Sequence, residues 1–367
     1  MHVDDCCATY TDKALFDRLM EDLREEGWDM SDAHDKNRFL GMEYERLPDG
    51  AVALHQAGYI QEIIAEFPGM DQCKAQEVPH DSGKRHSKVD CPVTDLERED
   101  MANVPYRRAI GMLRYLADGT RPEICASLGV LSQFQANPGR EHWKAIKRIV
   151  RYLKGTPKHG LIWGRETQGV PYTACCTFAD SSWADWKDDR TSRSGYVTYS
   201  WGGPVGWKSR KERAQALSSS EAEYVAACEA AKEVIWCRRV FAFLGYSEKE
   251  LSIYNYGDLT EAEYKGASPS IIFDDSTACI GMSRNPINRD RNKHIDLKYH
   301  FVRHKVASGE IKLVYVPTEE NVADIMTKTL AKIKFKRFRD RLVNDVRGEP
   351  PCAEAKRIIE WWWPYRH

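Results

Sequence analysis

Tyr172-Thr-Ala-Cys-Cys-Thr-Phe-Ala-Asp180 decides how this chain is read: an apolar, strand-like run that ends on a carboxylate. A carboxylate where an apolar strand opens to solvent is costly unless something cationic binds there. Three further stretches carry an acid in a comparable setting. Glu223 lies within Ser218-Ser-Ser-Glu-Ala-Glu-Tyr-Val-Ala226, Asp274 follows Ser270-Ile-Ile-Phe273, and Asp324 sits in Asn321-Val-Ala-Asp-Ile-Met-Thr-Lys328. Four converging carboxylates repel one another, and divalent metal relieves that repulsion. Two metals roughly 4 Å apart stabilise both the attacking and the leaving oxygen of a phosphodiester displacement. The pattern implies nuclease chemistry, with Asp180, Glu223, Asp274 and Asp324 as catalytic, metal-binding acids.

The surroundings of these acids alternate between strand and helix patterns. Residues 172–179, 195–201 and 205–210 are short, β-branched and aromatic runs broken by Gly, which predicts an antiparallel meander. A long helix is predicted from Ser220 to about Leu244, then an acidic segment, 247–267, with little periodicity. A strand (270–273), two helices (276–283 and about 296–307), a strand (311–316) and a final helix from Asn321 follow. Such an order predicts a mixed sheet covered by helices.

Upstream, a helix from Lys13 precedes a hairpin turning at Pro48-Asp-Gly50, and Tyr59 to Phe67 reads as an amphipathic helix. Residues 71–103 are polar and read as a linker or long surface loop. A helical block runs from Tyr106 to Lys154. Its last helix turns Ile146, Ile149, Val150 and Leu153 inward and carries Lys144, Lys147, Arg148, Arg151 and Lys154 mainly on the other side. Lys144, Lys147 and Arg151 are candidate phosphate contacts, because almost no acid balances them.

The chain has 367 residues, enough for two or three cored domains, and a formal net charge of -1. That balance excludes a uniformly basic nucleic-acid coat, so such contacts must come from local patches. Eleven Cys without zinc-type spacing imply free thiols in a reducing compartment. No apolar run reaches the ~20 residues of a membrane span. The expectation is an intracellular protein, in a cytoplasmic particle or the nucleus, with no signal peptide and no membrane partner.

Four motifs carry a family resemblance. They are Tyr115-Leu-Ala-Asp-Gly-Thr-Arg-Pro-Glu-Ile124, His142-Trp-Lys-Ala-Ile-Lys-Arg-Ile-Val-Arg-Tyr-Leu-Lys-Gly-Thr156, the Ser218–Ala226 stretch, and Lys293-His-Ile-Asp-Leu-Lys-Tyr-His-Phe-Val-Arg303. With these the chain resembles the C-terminal part of the pol polyprotein of copia-type long-terminal-repeat retrotransposons, from Met1 to about Phe338. The resemblance implies the end of a reverse transcriptase followed by ribonuclease H.

The implied fold is mixed α/β. A polymerase palm remnant (1–70), the linker (71–103) and a helical thumb- or connection-like segment (104–165) precede a ribonuclease H-like five-stranded sheet with flanking helices (171–330). A basic, Trp-ending tail (331–367) closes the chain. The implied cofactor is Mg2+, as two ions, with Mn2+ as an alternative, and the implied partner is an RNA–DNA hybrid or other nucleic acid.

Within this scheme Glu221 and Glu223 share one helical turn, and Glu223-Tyr-Val-Ala226 fits the family pattern. Asp274 fits the aspartate that closes the strand, while Asp275 stands where Asn is usual. Met1-His-Val-Asp-Asp5 resembles a polymerase-palm hairpin, so Asp4 and Asp5 are a residual polymerase motif. The resemblance implies that the first metal-binding aspartate and the fingers lie upstream, on a missing reverse transcriptase segment that would be a partner of this chain. Primer extension is therefore not expected of this chain alone. No His immediately precedes Asp324, and His294 and His300 read as packing or capping residues. A non-catalytic, nucleic-acid-binding remnant of a decayed element is the alternative reading.

Overall fold

The structure, a computed structural model, describes residues 12–28, 37–81, 83–164, 175–212, 215–246, 269–284 and 296–347. Asp4, Asp5, the 247–267 segment and the Trp-ending terminus lie outside them. The first helix, α1 (Lys13–Glu25), is capped by Asp12, whose carboxylate accepts the Ala14 N–H at 2.9 Å. Strands β1 (Arg38–Phe39), β2 (Met42–Arg46) and β3 (Val52–His55) follow as an antiparallel meander, with Gly50 supplying the positive φ that the β2–β3 turn needs. After them come α2 (Ala57–Glu66), α3 (Asp95–Ala102), α4 (Tyr106–Gly119), α5 (Cys125–Leu131), α6 (Arg140–Gly155) and β4 (His159–Trp163).

The second half contains β5 (Cys176–Ser182), β6 (Arg193–Ser200), β7 (Gly203–Lys211), α7 (Ser219–Phe243), β8 (Ser270–Asp274), α8 (Thr277–Arg284), α9 (Asp296–Ala307) and β9 (Ile311–Tyr315). Two short helices and a strand close it: α10 (Asp324–Thr327), α11 (Lys332–Leu342) and β10 (Asn344–Asp345). Strand order in this sheet is β7-β6-β5-β8-β9. The β7/β6 and β6/β5 pairs are antiparallel, and β5/β8 and β8/β9 are parallel. It is the mixed five-stranded sheet with flanking helices expected of a ribonuclease H-like domain.

One face of that sheet packs α7, α8 and α9 through Ala227, Ala231, Val234, Ile272 and Leu313. The opposite face shares a core with the N-terminal half. Phe178, Val197, Ile271 and Phe273 join Leu113, Leu116, Ile149 and Leu153 in one apolar cluster, through Ile325, Met326 and Phe338. Arg193 of β6 stitches the halves further by donating to the Ala126 carbonyl of α5 at 2.7 Å.

Four expectations are corrected. The 71–103 segment is not a loop throughout. It holds a 3-10 turn and α3, whose Thr94-x-x-Glu97 capping box satisfies the helix's first N–H groups. The 331–367 region is not simply a basic tail. Phe335, Phe338 and Leu342 recur at helical spacing and are buried, so α11 docks on the core despite its charge, and β10 pairs with β4. The first sheet, ordered β1-β2-β3-β4-β10, is therefore completed by the C-terminal end of the described chain, and the 104–165 block contains a strand as well as helices. Finally, β5 does not stop before Asp180. It pairs with β6 out to Ser182 opposite Arg193, which keeps the acid inside the strand.

A candidate carboxylate metal centre

Asp180 stands on the middle strand of the second sheet, opposite Gly195 of β6, and is fully buried. Gly195 is what lets α10 approach. A Cβ there would lie 2.5 Å from Met326 Cβ and 2.8 Å from Thr327 Cγ2. Asn321 holds the preceding loop down, donating from Nδ2 to the Ala179 carbonyl at 2.8 Å and accepting the Ala323 N–H at Oδ1. Together they deliver Asp324, also buried, to the side of Asp180.

The two candidate glutamates separate cleanly. Glu221 caps α7: its Oε2 accepts the Leu217 N–H at 2.6 Å, and its own N–H donates to Ser218 Oγ. Glu223, two residues further along the helix, turns toward the sheet. Its carboxylate and those of Asp180 and Asp275 have oxygens within 4.8 Å of one another. Asp274 ends β8 just behind them, with Oδ1 accepting the Ser276 N–H at 2.8 Å. Asp275 also accepts from Thr318 Oγ1 at 2.6 Å. The tightest grouping is thus Asp180, Glu223 and Asp275, with Asp274 and Asp324 at its margin.

Burial and mutual repulsion dominate the electrostatics. Burial lifts the Asp180 carboxyl to about 7, with Lys328 opposing and Asp324 adding to the rise. Burial, then the charges of Asp180, Asp274 and Asp275, push Glu223 up to about 10. Asp274 rises to about 7 through burial, partly offset by the Ser276 N–H and the Cys279 thiol. Glu223 Oε2 and Asp274 Oδ2 are buried with no hydrogen-bond partner. Buried oxygens left so cost free energy, and hard divalent cations are bound by oxygens of this kind. The residues present fit Mg2+ or Mn2+.

Lys328 is the site residue that sequence reading missed. Its Nζ donates to Asp180 Oδ1 at 3.0 Å and to Asp324 Oδ1 at 2.6 Å. Lys334 reaches the other oxygen of Asp324 at 2.8 Å, and Thr327 Oγ1 donates to Asp180 Oδ2. The i,i+4 spacing of Asp324 and Lys328 was the available signal. Asp275 was passed over because it stands where the family pattern has Asn. His294 lies outside the described residues, and His300 is exposed on α9.

Beside this centre a cleft of about 630 Å³ opens between α6 and the second sheet. Lys84, Lys147, Arg148, Lys187 and Arg193 line it, and Lys328 and Thr329 belong to its wall. The predicted phosphate contacts Lys144, Lys147 and Arg151 all border the cleft, but two of them have work inside the protein. Lys144 pairs with Glu141 at 2.6 Å, and Arg151 Nε donates to the Lys74 carbonyl at 2.7 Å. Lys154 is consumed by carbonyls after α2, including Cys73 at 2.7 Å.

A second group of possible ligand atoms, His86, Asp90 and His142, lies at the start of α6. His142 Nδ1 accepts the Gly139 N–H at 3.0 Å, which leaves the ring proton on Nε2, the atom 3.8 Å from Asp90. A protonated nitrogen cannot ligate metal. With Phe134 stacked on the ring at 3.9 Å, His142 serves as a packed helix cap.

A mixed sheet carrying acids on its central strand, on the adjoining strand end and on two flanking helices defines a ribonuclease H-like domain. Along most of its length the chain is similar to a stretch of the Pol polyproteins of copia-type transposons. It is 35% identical over 336 residues to the retrovirus-related Pol polyprotein from transposon TNT 1-94 of Nicotiana tabacum, covering 91% of this chain and 23% of that protein. It is 30% identical over 361 residues to the Pol polyprotein from transposon RE2 of Arabidopsis thaliana, covering 98% of this chain and 22% of the relative. The chain therefore spans less than a quarter of these relatives' length. No family model matches it. Among solved structures, LC11-RNase H1, isolated from compost, is 14% identical, covering 42% of this chain and 93% of that one, with a TM-score of 0.29. Among the described residues, no helix is long and apolar enough to cross a membrane.

Proposed function

We propose that this chain is a metal-dependent ribonuclease H-type endonuclease that hydrolyses the RNA strand of RNA–DNA hybrids. The observation that carries the reading is the acid cluster of buried Asp180, Asp274 and Asp324 with half-buried Glu223 and Asp275, in which Glu223 Oε2 and Asp274 Oδ2 lack partners. Like charges collected in a dry site are not a stabilising device, since each raises the cost of ionising its neighbours. They are the arrangement that a divalent ion requires. When bound, Mg2+ would supply activation of the attacking water and charge stabilisation of the leaving oxygen.

The chain's own residues divide the remaining work. Asp180 and Glu223 would hold the ions, with Asp275, Asp274 and Asp324 completing the ligand set. Asn321 and Gly195 fix α10 close enough for Asp324 to contribute. The basic cleft beside the centre would engage phosphates of the duplex, which position it without reading sequence. Discrimination of RNA would rest on its 2′-hydroxyls, presented in the wide minor groove of the hybrid.

The test is incubation of purified protein with an end-labelled hybrid, with Mg2+ and with chelator. Internal cleavage of the RNA strand in Mg2+ alone is the expected result. An intact hybrid in both, with binding retained, would favour the non-catalytic remnant. The same protein given a primed template and nucleotides should not extend the primer.

A further inference from the structure

Lys328 stands where the acid centre meets the cleft. All four carboxylate oxygens of Asp180 and Asp324 are held by the chain's own donors: Lys328 on one oxygen of each, Thr327 on the second of Asp180 and Lys334 on the second of Asp324. Glu223 and Asp274 each keep an orphaned oxygen. The centre is therefore split between a half already neutralised by lysine and a half open to a cation.

A divalent ion ligated by Asp180 must use an oxygen that Lys328 or Thr327 now holds. The Lys328 ammonium, 3.0 Å from Asp180 Oδ1, would face a doubly charged ion on the same carboxylate at close range, and in a site shielded from water the repulsion is poorly screened. One of the two must leave. Lys328 is free to do so: its side chain is 36% exposed, in contrast to the buried acids, and it belongs to the cleft wall shared with Lys147, Arg148 and Arg193. Those cations have gathered where a phosphate would lie, so the displaced ammonium has a partner within its own reach.

We propose that Lys328 is a resident counter-ion of the acid centre, displaced when metal binds and delivered to a backbone phosphate of the bound nucleic acid in the cleft. The inference rests on the reading of the acids as a metal centre. It makes Lys328 a positioning residue in the metal-free protein and a phosphate contact in the loaded one. Its removal then has effects of opposite sign. The metal-free fold loses the charge that offsets Asp180 and Asp324, while the metal gains two acids without a competitor. A lysine with a merely structural role would weaken both when removed.

The experiment compares wild type with Lys328→Met, each stripped of metal with chelator and dialysed, without nucleic acid. Calorimetric titration with Mn2+ should give a dissociation constant about tenfold lower in the variant, within the usual range for coupled ligands. Its metal-free melting temperature should fall and recover with Mn2+. Equal or weaker Mn2+ binding by the variant overturns the inference and leaves the metal reading intact. Absence of Mn2+ binding in both proteins overturns both readings. Should Lys328→Met not fold, wild type alone decides. An amine-acylating reagent read out by peptide mass spectrometry should modify Lys328 severalfold faster with Mn2+ than without, and a rate unchanged or slowed by Mn2+ refutes displacement.

Discussion

Arg121 and Glu123 are buried as deeply as Asp180 and Asp274, yet the two clusters are built on opposite plans. In the N-terminal half, Arg121 Nε donates to Glu123 Oε1 at 2.7 Å, its other nitrogens reach the Thr156 carbonyl and hydroxyl at 2.8 and 2.6 Å, and Tyr152 adds its hydroxyl at 3.2 Å. Opposite charges neutralise each other in place, and the cluster ties the 3-10 turn at Pro122–Ile124 to the end of α6. In the second sheet the charges are alike, and among the described residues only Lys328 and Lys334 offset them. The first plan balances its charge within the chain, although Glu123 Oε2 also lacks a hydrogen-bond partner. The second keeps a surplus of negative charge that a cation from outside would offset, which makes it the candidate functional site.

Breaking the first cluster should have the largest effect on stability. Arg121→Met leaves Glu123 buried and unpaired, which typically costs ~3–5 kcal/mol. Chemical denaturation should show that loss, without any gain from added Mg2+ beyond that of wild type. A variant as stable as wild type would mean the pair contributes nothing and would blur the contrast.

The same operation on the second cluster should cut function instead. Asp180→Asn is expected to lower hybrid cleavage by at least ~100-fold, because a neutral ligand weakens and misplaces the metal. Its metal-free melting temperature should hold or rise, since one repelling charge is gone. Equal cleavage by mutant and wild type would assign the activity to a contaminant. Glu223→Gln should likewise abolish cleavage, whereas Glu221→Gln should cost only part of a helix cap, on the order of 1 kcal/mol, and keep most of it.

Proton linkage distinguishes the clusters more gently. Asp180 and Asp274 titrate near 7 in the folded chain and Glu223 near 10, all above their ordinary values. Raised folded values mean that the folded chain holds these protons more tightly than the unfolded chain does. Their stabilisation is present below about pH 4 and is lost as pH climbs through 7 and toward 10. Melting temperatures in chelator should therefore fall from pH 5 to 9, and Mg2+ should remove most of that slope. Parallel curves with and without Mg2+ would separate the acids from any metal.

The smallest effect is expected at the cleft. Lys147→Ala should reduce the log–log salt dependence of hybrid binding by ~1 unit, equally for every hybrid sequence, with cleavage at saturation almost unchanged. Adding Lys144→Ala and Arg151→Ala should change the slope less than threefold, because those side chains already serve Glu141 and Lys74. An unaltered slope would return this face of α6 to a solvated surface.

Much of this was legible in the residues. Asp180, Asp274 and Asp324 each interrupt an apolar context that has no use for a charge, and the strand and helix periods around them predicted a mixed sheet. Ser218-x-x-Glu221 is a capping-box pattern, so even the division of labour between Glu221 and Glu223 was written in the spacing. The Phe335, Phe338 and Leu342 stripe was there as well, masked by the lysines and arginines between.

What sequence by itself determined is the inventory: which acids lie at strand ends, which helices are amphipathic, and that a like-charged set recurs in family order. These follow from local periodicity and the cost of burying charge, which act over a few residues. Only the tertiary structure decided which acids meet. Whether Asp274 or Asp275 joins Asp180 and Glu223 depends on how β8 ends against β5. That Lys328 bridges two acids depends on Gly195 having no side chain, so that α10 can approach β6. That α11 and β10 complete a sheet begun some three hundred residues earlier depends on one apolar core running through both halves. Contacts of that range are set by packing, which no spacing along the chain records.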